Sequence, residues 1–286
     1  MTDDCNMTSN MNAGVQPLKF GGKEVERRGG LNWHDFKARW LSNGRFTTQD
    51  PKRETYYPLS PYAYCADNPI RNIDPTGKEP TPHEAVLIAK HVYGEGGKLE
   101  GGWQLDGKIY YQDNGLQYGV YFRKLNNGKM DYVLAFAGTN DKQDITQDIQ
   151  QALGGNNIPQ SGNAQTIGRL FISTYNDGDQ TVVGHSLGGN HALVVSLDTG
   201  IRAITFNPAA LNSETKIKLN ITNNDENITN YVVKGEIVSH YQSKISLYLD
   251  GKTITIGNYW DKNISIFERY QRHKIDRVIY EMDKRH

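Results

Sequence analysis

Cysteine is nearly absent. Cys5 and Cys65 are the only two in 286 residues, far apart and outside any C-x-x-C or metal-ligand spacing, so neither a disulfide framework nor a thiolate metal site is expected. Charge of one sign is missing as well: Lys and Arg number 32, and so do Asp and Glu. That balance leaves no net field to draw in nucleic acid, which excludes a charge-driven nucleic-acid binder. No apolar run approaches the ~20 residues that span a bilayer, so no transmembrane segment is expected. The first residues, MTDDCNMTSNMNAG, carry acidic and amide side chains where a Sec signal needs basic and then apolar ones, so no signal peptide is expected. Hydrophobic residues make up 37%, enough for a core only if the polar stretches are concentrated elsewhere.

Against that background, Thr181 to His191, TVVGHSLGGNH, stands out. Gly184-His185-Ser186-Leu187-Gly188 fits the G-x-S-x-G nucleophile elbow, a strand-to-helix turn so sharp that the serine backbone is strained and its neighbours must lack side chains. The context matches. Gln180 to Val183 ends in a β-branched run, Asn190 to Leu197 reads as a helix stopped near Gly200, and Ile201 to Phe206 reads as another buried strand. Such a turn exposes the Ser186 hydroxyl above a sheet and aims the Leu187 N–H, at the helix start, toward a developing oxyanion.

Composition divides the chain. Up to about Lys78 it is rich in Gly, Pro, Tyr, Asn and Arg, with turn signals such as Asn68-Pro69 and Asp74-Pro75-Thr76-Gly77. Beyond that point helical and strand patterns alternate. Pro82 to Tyr93 reads as a helix, and Leu116 to Leu125 with Tyr132 to Phe136 as strands about an Asn126-Asn127-Gly128 turn. Helices follow over Asp141 to Leu153 and around Ala164 to Tyr175. Near the end, Lys244 to Leu249 and Thr253 to Ile256 flank Asp250-Gly251 as an expected hairpin, before a helix over Ile264 to Met282. The expected fold is therefore α/β, a mostly parallel sheet covered by helices with antiparallel additions. Residues 1–17 are expected to be disordered, 18–78 to form a short β- and turn-rich segment, and 79–286 the catalytic domain.

Residues 18–78 resemble the C-terminal end of the RHS-repeat core of bacterial polymorphic toxins. The motifs that carry this, in order, are Phe20-Gly21-Gly22-Lys23-Glu24, Gly30-Leu31-Asn32-Trp33-His34-Asp35-Phe36, Ala38-Arg39, Gly44-Arg45-Phe46-Thr47-Thr48-Gln49-Asp50-Pro51, Ser60-Pro61-Tyr62-Ala63-Tyr64, Asn68-Pro69-Ile70 and Ile73-Asp74-Pro75-Thr76-Gly77. In that family the toxin domain begins just after the D-P-x-G signature, here near Lys78 to Thr81. Self-cleaving members use paired aspartates that map to Asp50 and Asp74, but Lys78 stands where those members usually carry leucine. Turn formation by the Asp-Pro pairs is the favoured reading.

Residues 79–286 resemble the class 3 lipases, which have an α/β-hydrolase fold. Tyr132-Val133-Leu134-Ala135-Phe136-Ala137-Gly138-Thr139, followed by Asp144 and Asp148, is similar to the strand and loop ahead of the nucleophile in that family. The resemblance implies that Thr139 supplies an oxyanion donor beside Leu187. A serine needs a base, and the base needs an anion behind it; the hydrolase order is Ser, then Asp or Glu, then His. Of eight histidines, only His240, His273 and His286 follow the elbow's helix. Arg272-His273-Lys274-Ile275-Asp276 resembles the H-x-x-D step that carries the terminal histidine, with His240 in reserve. Tyr231-Val232-Val233-Lys234-Gly235-Glu236-Ile237-Val238-Ser239 resembles the strand-end site of the acid, putting Glu236 in that position, with Asp250 and Asp198 in reserve.

Together the two resemblances imply an RHS-associated antibacterial effector: a serine hydrolase with Ser186, His273 and Glu236 as triad, acting on lipid or phospholipid esters. No metal or cofactor is implied. A cognate immunity protein is the expected partner, and peripheral membrane contact is compatible with the substrate. Localisation follows as cytoplasmic in the producer, or secreted by a dedicated system. The alternatives are a thioesterase or small-ester esterase, and a catalytically inactive RHS-derived binding module.

Overall fold

In the computed structural model, the described residues are 25–26, 33–35, 40–43, 45–49, 80–94, 96–125, 128–139, 158–221, 225–257 and 264–284. The chain divides into two compact units, Met1–Lys78 and Glu79–His286. Of the first, the described part is a four-stranded antiparallel meander: β1 (Val25–Glu26), β2 (Trp33–Asp35), β3 (Trp40–Ser42) and β4 (Arg45–Phe46). Leu41 and Phe46 face each other across β3 and β4 and are both buried. Cys5, Cys65, Asp50, Asp74 and the 1–17 stretch lie outside the described residues.

The second unit opens with helix α1 (Pro82–His91). Thr81 and Glu84 form a reciprocal capping box at its start, and Pro82 supplies a preset φ in the first turn. Strands β5 (Gln104–Leu105), β6 (Tyr110–Tyr111), β7 (Gln117–Lys124) and β8 (Met130–Phe136) follow, then helix α2 (Ile158–Thr174), β9 (Gly178–His185), α3 (Leu187–Thr199), β10 (Arg202–Phe206), α4 (Ser213–Lys218), β11 (Ile228–Val233), α5 (Ile237–Lys244), β12 (Lys252–Ile256), α6 (Ile266–His273) and α7 (Ile275–Asp283). The sheet runs β12-β11-β10-β9-β8-β7-β5, with β6 also on β7. From β12 to β8 every pairing is parallel; β7, β5 and β6 add on antiparallel. This is the expected mostly parallel α/β arrangement, with β9 at its centre.

Period-two alternation builds a core on each face. Val133 and Ala135 of β8 join Val183, Ile204, Phe206, Tyr231 and Val233 beneath α1 and α7. Tyr132, Leu134 and Phe136 turn the other way, with Val182 and Ala203, against α2 and α3. That double burial explains why β8 reads as an unbroken apolar run rather than an alternating one. No helix among the described residues is long and apolar enough to cross a membrane.

Two expectations are corrected. Asp250-Gly251 does not turn a hairpin: the chain up to Lys244 completes α5, and β12 pairs parallel to β11. Tertiary contacts override the local turn signal. Asp250 Oδ1 accepts from Lys216 Nζ at 2.5 Å and its carbonyl from Asn230 Nδ2 at 2.7 Å, while a Cβ on Gly251 would lie 2.4 Å from Ile228 Cβ. The expected helix over 264–282 is two helices, because Lys274 is extended at φ −55°, ψ 142°. The expected helix over 141–153 and the turn at 126–127 lie outside the described residues.

An ion network anchors β7 and β8 to α1. Arg123 donates to Glu84 at 3.1 Å and Asp131 at 2.7 Å, all three side chains being nearly inaccessible, and its guanidinium stacks over Trp103 at 4.4 Å. Arg123→Leu removes the cation that these two buried carboxylates share, so stability should fall by about 3–5 kcal/mol. Denaturant unfolding measures this; a loss under about 1 kcal/mol would refute the network's role.

Candidate active site

Thr139, Ser186, Leu187, Glu236 and His273 collect at the C-terminal edge of the parallel strands, where open α/β sheets hold their ligands. The register puts Phe136, Gly184 and Thr205 side by side, so the chain leaves β8 at Gly138 and Thr139, β9 at Ser186 and β10 at Asn207, all at one level. β11 ends nearby and leads into Gly235 and Glu236.

Ser186 sits at φ 58°, ψ −122°, a conformation that disfavours a side chain by about 1–3 kcal/mol. Three hydrogen bonds hold it there. Its N–H donates to Phe206 O at 3.0 Å, and its carbonyl accepts from Asn190 N at 3.2 Å and Ala209 N at 3.1 Å. The flanking glycines permit the crossing: a Cβ on Gly184 would lie 2.1 Å from Gly188 O, and one on Gly188 would lie 2.2 Å from Phe136 O.

His273 ends α6 and spans the gap between Ser186 and Glu236. Its Nε2 is 2.8 Å from Ser186 Oγ, and its Nδ1 is 2.7 Å from Glu236 Oε2. A carboxylate only accepts, so Nδ1 carries a proton, and in the neutral ring Nε2 then faces the serine hydroxyl as an acceptor. Glu236 doubles as the N-cap of α5: Val238 N–H donates to Oε2 at 2.8 Å, and Ser239 donates to Oε1 from both its N–H and its hydroxyl. All three are buried, with 7% of Ser186, 1% of Glu236 and 2% of His273 exposed. Gly235, at φ +77°, makes the turn that delivers Glu236.

Leu187 N–H, the first of α3, has no acceptor within its own helix. A Cβ on Gly138 would lie 3.0 Å from that of Ser186, so Gly138 packs against the elbow and Thr139 follows one peptide further on. Gly138 N–H is engaged by Tyr93 Oη at 2.9 Å, which leaves Thr139 N–H as the next donor along.

The reserve residues are engaged otherwise, His240 one turn into α5 from Glu236. Asp198 pairs with Arg169 at 2.7 Å on α3, Asp250 with Lys216, and His240 stacks edge-on with Tyr241. Asp144, Asp148 and His286 are outside the described residues. Sequence reading missed Tyr93, Asn207 and the bonds of His185. Tyr93 and Asn207 carry no motif; His185 was visible, but as the unspecified residue of the elbow.

Two other histidines are buried neutral. Desolvation pushes His185 down to about 3, helped by the neighbouring His273, and does the same to His191, whose Nδ1 meets no partner among the described residues.

A model of the Tle-like phospholipase domain matches residues 87–267. Over 226 residues the chain is 30% identical to an extracellular phospholipase A1 of Serratia liquefaciens, covering 69% of each sequence. Among solved structures it is similar to the Lip2 lipase of Yarrowia lipolytica, 15% identical with a TM-score of 0.44, over 62% of this chain and 78% of that one. A lipase of Rhizopus microsporus var. chinensis is 15% identical with a TM-score of 0.41, over 70% and 81%.

The buried histidines give a pH prediction. Their folded pKa lies below the unfolded value near 6.5, so the unfolded chain binds more protons between those limits. Stability is full above about pH 6.5 and falls toward pH 3, by about 1.4 kcal/mol per pH unit for each histidine. Unfolding midpoints should drop between pH 6.5 and 4.5, and His191→Leu should make that slope shallower; an unchanged slope contradicts the assignment.

Proposed function

The chain belongs to the Tle-like phospholipase domain family, and on that basis we propose that it hydrolyses acyl esters of phospholipids, in the manner of a phospholipase A, through an acyl-serine intermediate. One observation carries the mechanism: the continuous contact from Ser186 Oγ through His273 to a buried, fully bonded Glu236. The relative from Serratia liquefaciens, an extracellular phospholipase A1, supports the substrate class.

In this mechanism Ser186 Oγ attacks the ester carbonyl as His273 Nε2 takes its proton. Charge moves onto the carbonyl oxygen, where the N–H groups of Leu187 and Thr139 stabilise it. Glu236 stabilises the imidazolium by accepting from Nδ1–H and does not itself take the proton. The tetrahedral intermediate collapses, the C–O bond breaks, and His273 returns its proton to the departing lysophospholipid alkoxide. Water, deprotonated by His273, then attacks the acyl-Ser186 ester. Fatty acid leaves and the serine is restored.

We also read residues 18–78 as an RHS-core remnant, so that the hydrolase serves as an antibacterial effector with a cognate immunity protein. The order of its seven motifs supports this. Export by a dedicated machine is part of that reading. Asp50 and Asp74, which map to the paired aspartates of self-cleaving members, lie outside the described residues.

Fatty-acid release should be measured on short esters, acyl thioesters, triacylglycerol and phospholipid vesicles. Phospholipid should be the preferred substrate; Ser186→Ala should lower turnover about 10⁴-fold or more, and Glu236→Gln about 10³-fold. Release by folded Ser186→Ala at the wild-type rate would overturn the mechanism, and preference for thioesters would make the protein a thioesterase. For the effector role, expression in a bacterium lacking the neighbouring genes should arrest growth, and Ser186→Ala should relieve it. Normal growth with active enzyme present in the compartment that holds its lipid would contradict that role.

A further inference from the structure

We infer that Tyr93 and His185 are positioning residues that lock the Gly138–Thr139 loop to the backbone of His273, so that oxyanion donors and general base are held as one unit. This rests on the serine-hydrolase reading of Ser186, His273 and Thr139.

The hydrogen bonds can run in one direction only. His185 Nε2 lies 2.8 Å from His273 O, and a carbonyl accepts, so Nε2 carries a proton and donates. The ring is buried, 5% exposed, and desolvation keeps it neutral. Its Nδ1 is therefore bare and accepts from Tyr93 O–H at 2.8 Å. With that proton committed, the Tyr93 oxygen takes the Gly138 N–H at 2.9 Å. A chain thus runs from Gly138 N–H to Tyr93 to His185 to the His273 carbonyl. It joins the end of β8 to the end of α6 through the residue adjacent to the nucleophile.

Two further features fit. The carbonyl of His273 is free to accept because Lys274 leaves the helix, and Asn207 Nδ2 also donates to it at 3.0 Å. The two imidazoles stand 5.0 Å apart, so the charge that forms on His273 during acylation meets a neutral ring. An apolar residue at 185 would avoid the desolvation cost but would hold neither loop.

The first test needs no turnover. In Ser186→Ala protein at pH 7, ¹⁵N-edited NMR of the histidine rings should find His185 neutral and protonated at Nε2. A proton on Nδ1, or an imidazolium, would overturn the chain even if the catalytic reading stands. The second test is Tyr93→Phe, which keeps the ring and removes the link. Its kcat should fall about 10- to 100-fold with KM and melting midpoint little changed, and its affinity for an acyl trifluoromethyl ketone should fall by a similar factor, because that inhibitor binds as an oxyanion. Wild-type kcat and inhibitor affinity in Tyr93→Phe would refute the positioning role. Ser186→Ala retaining activity would instead refute the catalytic reading, with the tautomer still deciding the hydrogen-bond chain.

Discussion

A carboxylate as deeply buried as Glu236 is tolerable only if its lone pairs are met, and the segment around it is arranged to meet them. It caps α5, taking N–H groups from the turn it begins, and keeps one side of Oε2 for the Nδ1–H of His273. The cap and the proposed triad acid are one group. Helix formation therefore fixes the carboxylate, the carboxylate fixes the imidazole tautomer, and the tautomer leaves a bare nitrogen facing Ser186. Glutamate, longer by a methylene than aspartate, suits this double use, because it reaches back over its own helix start and still contacts His273.

The sheet edge imposes the other constraint. Four of the parallel strands, β8 to β11, end side by side and lead in turn into Gly138 and Thr139, Ser186, Asn207 and Glu236. Where β9 turns into α3, backbones cross so closely that Gly184 and Gly188 have no room for a Cβ. The strain at Ser186 is held by hydrogen bonds from both neighbouring segments, reaching β10 and the loop after it. The end of β9, the start of α3, and β10 with the segment after it thus fix Ser186 in place, which is the preorganisation that ester hydrolysis needs.

Much of this was legible in the sequence wherever the signal was local. The elbow shows because its glycines are steric necessities within five residues. β8 shows because its doubly buried stretch, Tyr132 to Phe136, is apolar throughout, and β9 shows through Val182-Val183 just ahead of the elbow. The juxtaposition of Ser186, Glu236 and His273 depends on chain crossings of up to 87 residues, so their selection came from chain order and from resemblance to class 3 lipases. Asp250-Gly251 misled for the opposite reason, being a strong hairpin dipeptide whose side chain and backbone are claimed by Lys216 and Asn230. The break at Lys274 left no proline or glycine to betray it. Tyr93 and Asn207 acquire their places only when α1 and β10 meet the site.

The central claim is that an acyl group passes through Ser186. Enzyme mixed with a slowly deacylated p-nitrophenyl ester and quenched in acid within the first turnover should, after digestion and mass spectrometry, carry one acyl group on the peptide containing Ser186. Fatty acid released with no acyl adduct at any time, or an adduct on a different residue, would contradict the account.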